Sequence, residues 1–250
     1  MKPAISVIVP VLNEEEFLPQ TLRSIRAQAF KDYELIVVDN GSTDASPEIA
    51  KAVADRFVVE ERRGPLFAIH RGILEARGQF VTSCDADTIY PKGWLERMVR
   101  GLDRRGVVAV CGPMAFSENG PFLRFLSLIG FCVIVGFSRL FGVRLCGAAN
   151  LGIRKQAYLS VGGYSLESAL ASQDLRLVRR LASRGKVRFL PTLVCYTSNR
   201  RYKRRGFLRT LAVYFRLWHD VARQSDKMTY SHYYGEDYYR HKQGSSKKQA

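Results

Sequence analysis

Ala4-Ile5-Ser6-Val7-Ile8-Val9-Pro10-Val11-Leu12-Asn13-Glu14 begins as a β-branched apolar run and ends in a polar loop. The run Ala4–Val9, closed by Pro10, reads as a short strand buried on both faces. The pattern then repeats. In Glu14–Gln28, Phe17, Leu18, Leu22 and Ile25 recur at helical spacing, with Arg23 and Arg26 on the other side. Tyr33–Val38 is a second buried strand that runs into Asp39-Asn40-Gly41-Ser42. Asp44 or Ser46 can cap the next helix, with Pro47 in its first turn. Phe57–Glu60 reads as a strand, Pro65–Ala76 as a helix and Phe80–Ser83 as a fourth strand. This alternation predicts an α/β domain with a mainly parallel central sheet flanked by helices.

In open parallel sheets, ligands bind at the carboxyl ends of the strands. Asn13–Glu14, Asp39–Asp44 and Asp85–Asp87 are therefore expected to meet at one site. Asp85-Ala86-Asp87 follows an apolar strand. If the strand continues, alternate residues share a face and the two carboxylates lie together. Like charges so placed call for a cation, and Mg²⁺ or Mn²⁺ held by one or two carboxylates plus substrate phosphates answers the need. Asp39, at a strand tip before Gly41, can accept hydrogen bonds from a nucleobase or ribose, or can serve its own turn. His70, His219, His232 and His241 show no ligand spacing. The first loop lacks G-x-G-x-x-G, which excludes a dinucleotide-binding oxidoreductase.

The 250 residues allow one domain with an appendage, and 46% hydrophobic with 25% charged residues is an ordinary globular balance. The formal net charge of +16 is not ordinary and predicts an anionic partner. Five scattered cysteines without C-x-x-C argue against a disulfide framework and read as small buried residues in a reducing cytoplasm. The apolar stretch after Met1-Lys2-Pro3 is too short for a signal peptide.

Pro91–Arg104 reads as a helix and Val107–Cys111 as a strand. Phe122–Phe141 is strongly apolar, with no charge between Arg124 and Arg139. That window is shorter than the roughly 20 residues a span needs. It reads either as a buried or partner-facing helix or as a segment dipping into a membrane interface. Gly147–Ile153 is compact and Gly-rich; Lys155–Val161, Leu166–Arg184 and Phe207–Val221 read as helices, and Val187–Leu190 as a strand. Arg200, Arg201, Lys203, Arg204, Arg205 and Arg209 adjoin an aromatic helix carrying Phe207, Tyr214, Phe215 and Trp218, a combination suited to anionic lipid.

Pro10–Glu14, Val37–Asp44 and Asp85–Asp87 stand in the order and spacing of family 2 glycosyltransferases. Gly147-Ala148-Ala149-Asn150, Val161-Gly162-Gly163-Tyr164 and Gln173-Asp174-Leu175 extend the resemblance to residues 4–200. It implies an inverting enzyme of GT-A fold, a nucleotide-diphosphate sugar donor, and a lipid-linked or glycan acceptor. Pro10, Asn13, Glu14 and Asp39 would line the nucleotide pocket. Asp85, Ala86 and Asp87 would meet metal and diphosphate, Gly147–Asn150 would floor the site, and Asp174 would be the catalytic base. The chain departs from the family pattern at Leu12, where the family often has Tyr. It departs again at Ile69-His70, where Arg-Asn is common, and at Gln173-Asp174, where the acidic pair is usually Glu-Asp. Basic help to the diphosphate then falls to Arg62, Arg63 or Arg71, with Arg200 and Arg201 as further contacts to diphosphate or acceptor.

The expected organisation is a transferase domain over 1–200, a basic aromatic helix over 201–225, and a tail without fixed structure over 226–250. The expected location is the cytoplasm, peripheral at the inner face of the cell membrane. The competing reading is a basic, non-catalytic α/β protein that binds nucleic acid. It leaves the clustered aspartates unexplained, and no nucleic acid is expected as a partner.

Overall fold

The computed structural model describes residues 2–166, 173–200 and 207–223. Strands β1 (Ile5–Val11), β2 (Tyr33–Asp39), β3 (Arg56–Val59) and β4 (Phe80–Ser83) alternate with helices α1 (Leu18–Arg26), α2 (Ser46–Val53) and α3 (Pro65–Glu75). After β5 (Thr88–Ile89) come α4 (Trp94–Leu102), β6 (Val107–Cys111), β7 (Met114–Phe116) and α5 (Pro121–Leu140). The chain continues through β8 (Leu151–Arg154), α6 (Lys155–Ser160), α7 (Gln173–Leu181), β9 (Lys186–Phe189), β10 (Cys195–Thr197) and α8 (Phe207–Arg223).

Among the described residues the main sheet has seven strands in the order β3-β2-β1-β4-β8-β6-β9. Its pairs are parallel except those of β8, which runs antiparallel to both β4 and β6. A small second sheet has the order β5-β10-β7, with β10 antiparallel to β5 and parallel to β7.

The apolar run of β1 is buried on both faces, as its composition predicts. Val7 and Val9 join a core with Leu18, Leu22 and Ile25 of α1 and Trp94, Leu95 and Met98 of α4. Ile8, pointing the other way, joins Ile69 and Ile73 of α3 and Leu177 and Leu181 of α7. The sheet is thus sandwiched between two helix layers. On the second face the fit is close enough that a Cβ at Gly72 would meet the Ile8 side chain, so α3 needs glycine there.

Three expectations are corrected. Asp85–Asp87 is not a strand segment but the turn joining β4 to β5, so the two carboxylates are placed by a bend rather than by pleat alternation. Cys111 and Cys146 form a disulfide, because the end of β6 and the segment before β8 bring their Cα atoms to 5.8 Å. Cys84 and Cys195 are buried thiols as expected, whereas Cys132 is half-exposed. Helix α5 is not a buried core helix: Val135 and Ser138 are its buried residues. Residues 201–206 and 224–250, including Arg201 and the expected tail, lie outside the described residues, as do 167–172 of the helix expected from Leu166.

Candidate active site

The loops after β1 and β2 hold each other. Asn13 adopts a left-handed φ of 54°, a conformation Asn tolerates better than most residues. Its Oδ1 accepts from the Thr43 N–H at 2.8 Å, and its own N–H donates to Ser42 Oγ at 3.0 Å. The Glu14 N–H donates to Ser46 Oγ at 2.9 Å. Asp44 accepts from the N–H groups of Glu15 and Ser46 at 3.1 and 3.0 Å. Burial pushes the Asp44 carboxyl up, but the hydrogen bonds from Ser46 and Glu15 outweigh it and hold the group below its usual range. Asp44 therefore clasps the loop after β1 to the start of α2, whose N-cap position is Ala45, without a side-chain cap, rather than the expected Asp44 or Ser46.

Asp39 is 6% exposed, and its carboxylate accepts from the N–H groups of Gly41 and Ser42. Asn40 donates to the carbonyls of Glu60 and Arg62 and accepts from the Gly64 N–H at 2.7 Å, which draws the 60–64 loop against the tip of β2. Of the three arginines expected to serve a diphosphate, Arg62 is paired with Glu60 and Arg71 with Glu75. Arg63 is exposed, with its guanidinium against Gly41, over the Asp39 turn.

The acidic turn is anchored from several sides. The Ala86 carbonyl accepts from Thr21 Oγ1 at 2.8 Å. The Asp85 N–H donates to the Tyr90 hydroxyl at 3.1 Å, and that hydroxyl donates to the Ala149 carbonyl at 3.0 Å. Pairing of β10 with β5 brings the chain after Thr197 across the turn, where the Ser198 N–H donates to the Asp87 carbonyl. Arg200 is delivered by this crossing. Its Nη2 lies 3.0 Å from Asp87 Oδ2 and 2.5 Å from Glu14 Oε1, with the guanidinium 4.8 Å from the Phe17 ring centre. Sequence reasoning named Arg200 but had no signal for this bridge or for Phe17.

Asp85 and Asp87 are half-buried and offer hard oxygen donors, the ligand type Mg²⁺ and Mn²⁺ take. The guanidinium beside Asp87 shows that the spot accommodates positive charge. The residues therefore fit a divalent cation. Among the described residues no cluster of three or more His, Cys, Asp or Glu could hold a metal alone. Two carboxylates completed by substrate phosphates match the usual magnesium arrangement.

The floor segment 147–150 joins this turn to Asp174. Ser83 Oγ and the Tyr90 hydroxyl donate to the Ala148 and Ala149 carbonyls on one side. On the other, the Ala148 backbone donates to the Asp174 carboxylate. A Cβ at Gly147 would collide with Met114. Asp174 opens α7 and accepts from the Tyr164 hydroxyl at 3.2 Å. Burial pushes its carboxyl up to about 6, against the lowering effect of the bonds from Tyr164 and Ala148. Tyr164 was visible only as part of Val161–Tyr164; its hydroxyl's partner was not. Tyr158 ties the same corner, accepting from the Tyr164 N–H and bonding His70 Nδ1 at 2.8 Å.

Asn150 is a correction. It is 0% exposed, accepts from Trp94 Nε1 at 2.8 Å, and donates to the carbonyls of Pro113 and Leu193. With its amide so engaged, it braces the floor from below and does not face a ligand. Pro10, within β1, pairs in register with Val38 beside the Asp39 turn.

Residues 6–162 match the family described as "Glycosyl transferase family 2". This chain belongs to glycosyltransferase family 2. Among curated family members, the putative glycosyltransferase EpsH of Bacillus subtilis (strain 168) is 35% identical over 124 residues, 47% of this chain and 36% of that protein. Glycosyltransferase AglE of Haloferax volcanii is 34% identical over 127 residues, 47% of this chain and 42% of AglE. The chain thus spans less than half the length of these relatives. Among solved structures, the mannosyltransferase PcManGT from Pyrobaculum calidifontis, in complex with GDP-Man and Mn²⁺, superposes with a TM-score of 0.69 at 22% identity, covering 93% of this chain and 67% of that one. S. aureus TarS 1-349 in complex with UDP-GlcNAc gives 0.61 at 20% identity, covering 79% and 58%. The GT-A-type fold of this family 2 glycosyltransferase follows from those superpositions.

Proposed function

We propose that this chain transfers a hexosyl group, with inversion, from a nucleoside-diphosphate sugar to a lipid-linked or glycan acceptor. The reaction is metal-assisted, and the protein works peripherally at the inner face of the cell membrane. The observation that carries this reading is the crevice itself. An acidic turn bridged by Arg200 and a carboxyl tuned to about 6 are joined by one floor segment.

The nucleoside would lie along the clasped loops, with Asp39 toward base or ribose and Arg63 toward phosphate. A divalent cation held by Asp85, Asp87 and the donor's phosphates would offset charge on the departing diphosphate. Arg200, already beside Asp87, adds a guanidinium to the same task. In one displacement the acceptor oxygen bonds to the anomeric carbon and the bond to the diphosphate oxygen breaks. Asp174 takes the acceptor's proton, and the nucleoside diphosphate leaves. Attack opposite the leaving group inverts the anomeric centre. A carboxylate raised to about 6 is ionised at neutral pH yet more basic than an ordinary aspartate, which suits a general base.

Thermal unfolding with UDP, GDP, CDP and dTDP, each with and without Mn²⁺, tests this reading. A nucleotide at about 100 times its dissociation constant adds roughly 2.7 kcal/mol. A metal-dependent shift with one nucleotide, absent in Asp87→Asn, is expected. A well-folded sample that responds to none of them would overturn the reading. The configuration at the product's anomeric carbon, read by NMR, tests inversion separately.

A further inference from the structure

Helix α5 has two unlike sides. Arg124, Leu128, Phe131, Val135 and Ser138 recur three or four positions apart on the side turned to the fold. Phe131 stacks on Phe189 of the edge strand β9, with ring centres 6.3 Å apart, and Ser138 Oγ accepts from Trp218 Nε1 at 3.0 Å. The opposite side is apolar and open. Phe122, Phe125, Val133, Ile134, Phe137 and Leu140 are 56–81% exposed.

Helix α8 extends that surface. Phe141 meets Trp218 edge-on at 5.6 Å, and Trp218 stacks on Phe215, itself 66% exposed, at 6.0 Å. Arg209, Arg216 and Arg223 of α8 are exposed. At the carboxyl end of α5 lies a cleft of about 320 Å³ lined by Arg139, Gly142, Arg144 and Val187. Both arginines are exposed.

The geometry points to an anionic-phospholipid site: Arg139 and Arg144 take a headgroup phosphate in this cleft, while the open side of α5 lies in the plane of the membrane interface. Length and composition alone would let α5 cross a membrane, since 20 residues span about 30 Å. Its contacts with Phe189 and Trp218 hold it to the sheet edge instead, so it lies flat with one side in the protein and one in lipid. The occupant is lipid rather than another apolar protein face because two guanidiniums border the apolar surface and the chain carries a net charge of +16. The chain passes from this cleft into the floor segment within a few residues. A lipid-linked acceptor anchored in the same bilayer is thereby held near Asp174. The purpose of this surface rests on the transferase reading; its chemistry does not.

The test uses the full chain and co-sedimentation at low salt with phosphatidylcholine vesicles, pure or containing about one-third phosphatidylglycerol. Each arginine at an anionic surface is worth about fivefold in partition, so Arg139→Gln with Arg144→Gln is expected to weaken binding to the anionic vesicles about thirtyfold. Phe125→Glu with Val133→Glu is expected to remove binding. Inorganic phosphate is expected to release the protein from vesicles beyond what chloride does at equal ionic strength. Four outcomes overturn the proposal: binding to neutral and anionic vesicles alike, arginine variants that bind as the parent does, a protein that takes inorganic phosphate but ignores vesicles, and a dimer broken by Phe125→Glu with Val133→Glu that has no affinity for lipid. Nucleotide-induced thermal shifts in the same variants separate the two readings, since none of these residues lines the crevice. Vesicle binding without any nucleotide response in the parent would sink the transferase reading and leave the lipid site standing.

Discussion

Asp44 and Asp174 are both aspartates at the mouth of a helix, and the protein treats them in opposite ways. Asp44 receives N–H donors from the loop after β1 and from the first residue of α2, and its carboxyl is held low. Asp174 receives a tyrosine hydroxyl and one backbone donor, too little to offset its burial, and its carboxyl rises to about 6. The first ionises readily and serves architecture. The second holds its charge at a cost, and under the proposed mechanism that cost is what suits it to act as a base. The difference is that expected between a structural carboxylate and the proposed reactive one.

The largest expected effect comes from breaking the reactive member. Asp174→Asn keeps the shape and removes the base, so kcat should fall about 100- to 10,000-fold. Its stability should move the other way. Because Asp174 has a folded pKa raised from 3.8 to about 6, its contribution is fully present below the unfolded value and is lost as pH rises through about 6. At pH 7.5 the Asn variant should therefore melt no lower than the parent in differential scanning calorimetry. A lower Tm there would mean that the charged form is stabilised by partners other than Tyr164 and Ala148.

Next comes the pH profile. With Asp174 as base, kcat should drop about tenfold per unit as pH falls below about 6. Tyr164→Phe removes a donor to the charged form, so the apparent pKa in that profile should move further up. An unmoved limb would detach Tyr164 from the base.

The smallest effect belongs to the architectural member. Asp44→Ala should cost about 1 kcal/mol, as for the loss of a hydrogen-bonded carboxylate, and urea melts would measure it. The sign of its pH dependence is opposite to that of Asp174. Asp44 has a lowered pKa, so its contribution is present above the unfolded value and is lost as pH falls through the folded one. The Asp44→Ala deficit should therefore shrink in acid.

β1, β2 and β4 and their loops were readable because each strand is an apolar run buried on both faces and each run ends in a polar cluster, whereas the edge strand β3, nowhere fully buried, was readable only from Phe57-Val58-Val59. Such signals lie within a few neighbouring residues. The small sheet escaped notice because β5, β7 and β10 have only two or three residues each, too few for any period. Strand β8 was hidden in the compact, Gly-rich stretch Gly147–Ile153, to which no element could be assigned. The Arg200 bridge to Glu14 spans 186 positions, and no local pattern encodes it. Asn150 shows the reverse failure: the motif placed it at the site, but its amide turns toward Trp94. The Cys111–Cys146 pair removes the argument for a reducing compartment that rested on scattered cysteines.

Strand β8 also has a consequence for the order in which the chain folds. β1 and β2 pair across about 28 residues, whereas β4 must reach back about 75 residues to β1 and β8 must return across about 70 to β4, both slower closures. It is continuous with the floor segment that joins Asp85–Asp87 to Asp174. A chain emerging during synthesis thus presents the acidic turn first, the floor second, and Asp174 and Arg200 last. The proposed active site is therefore finished from its amino-terminal side outward, and its proposed base arrives after the floor that is to hold it.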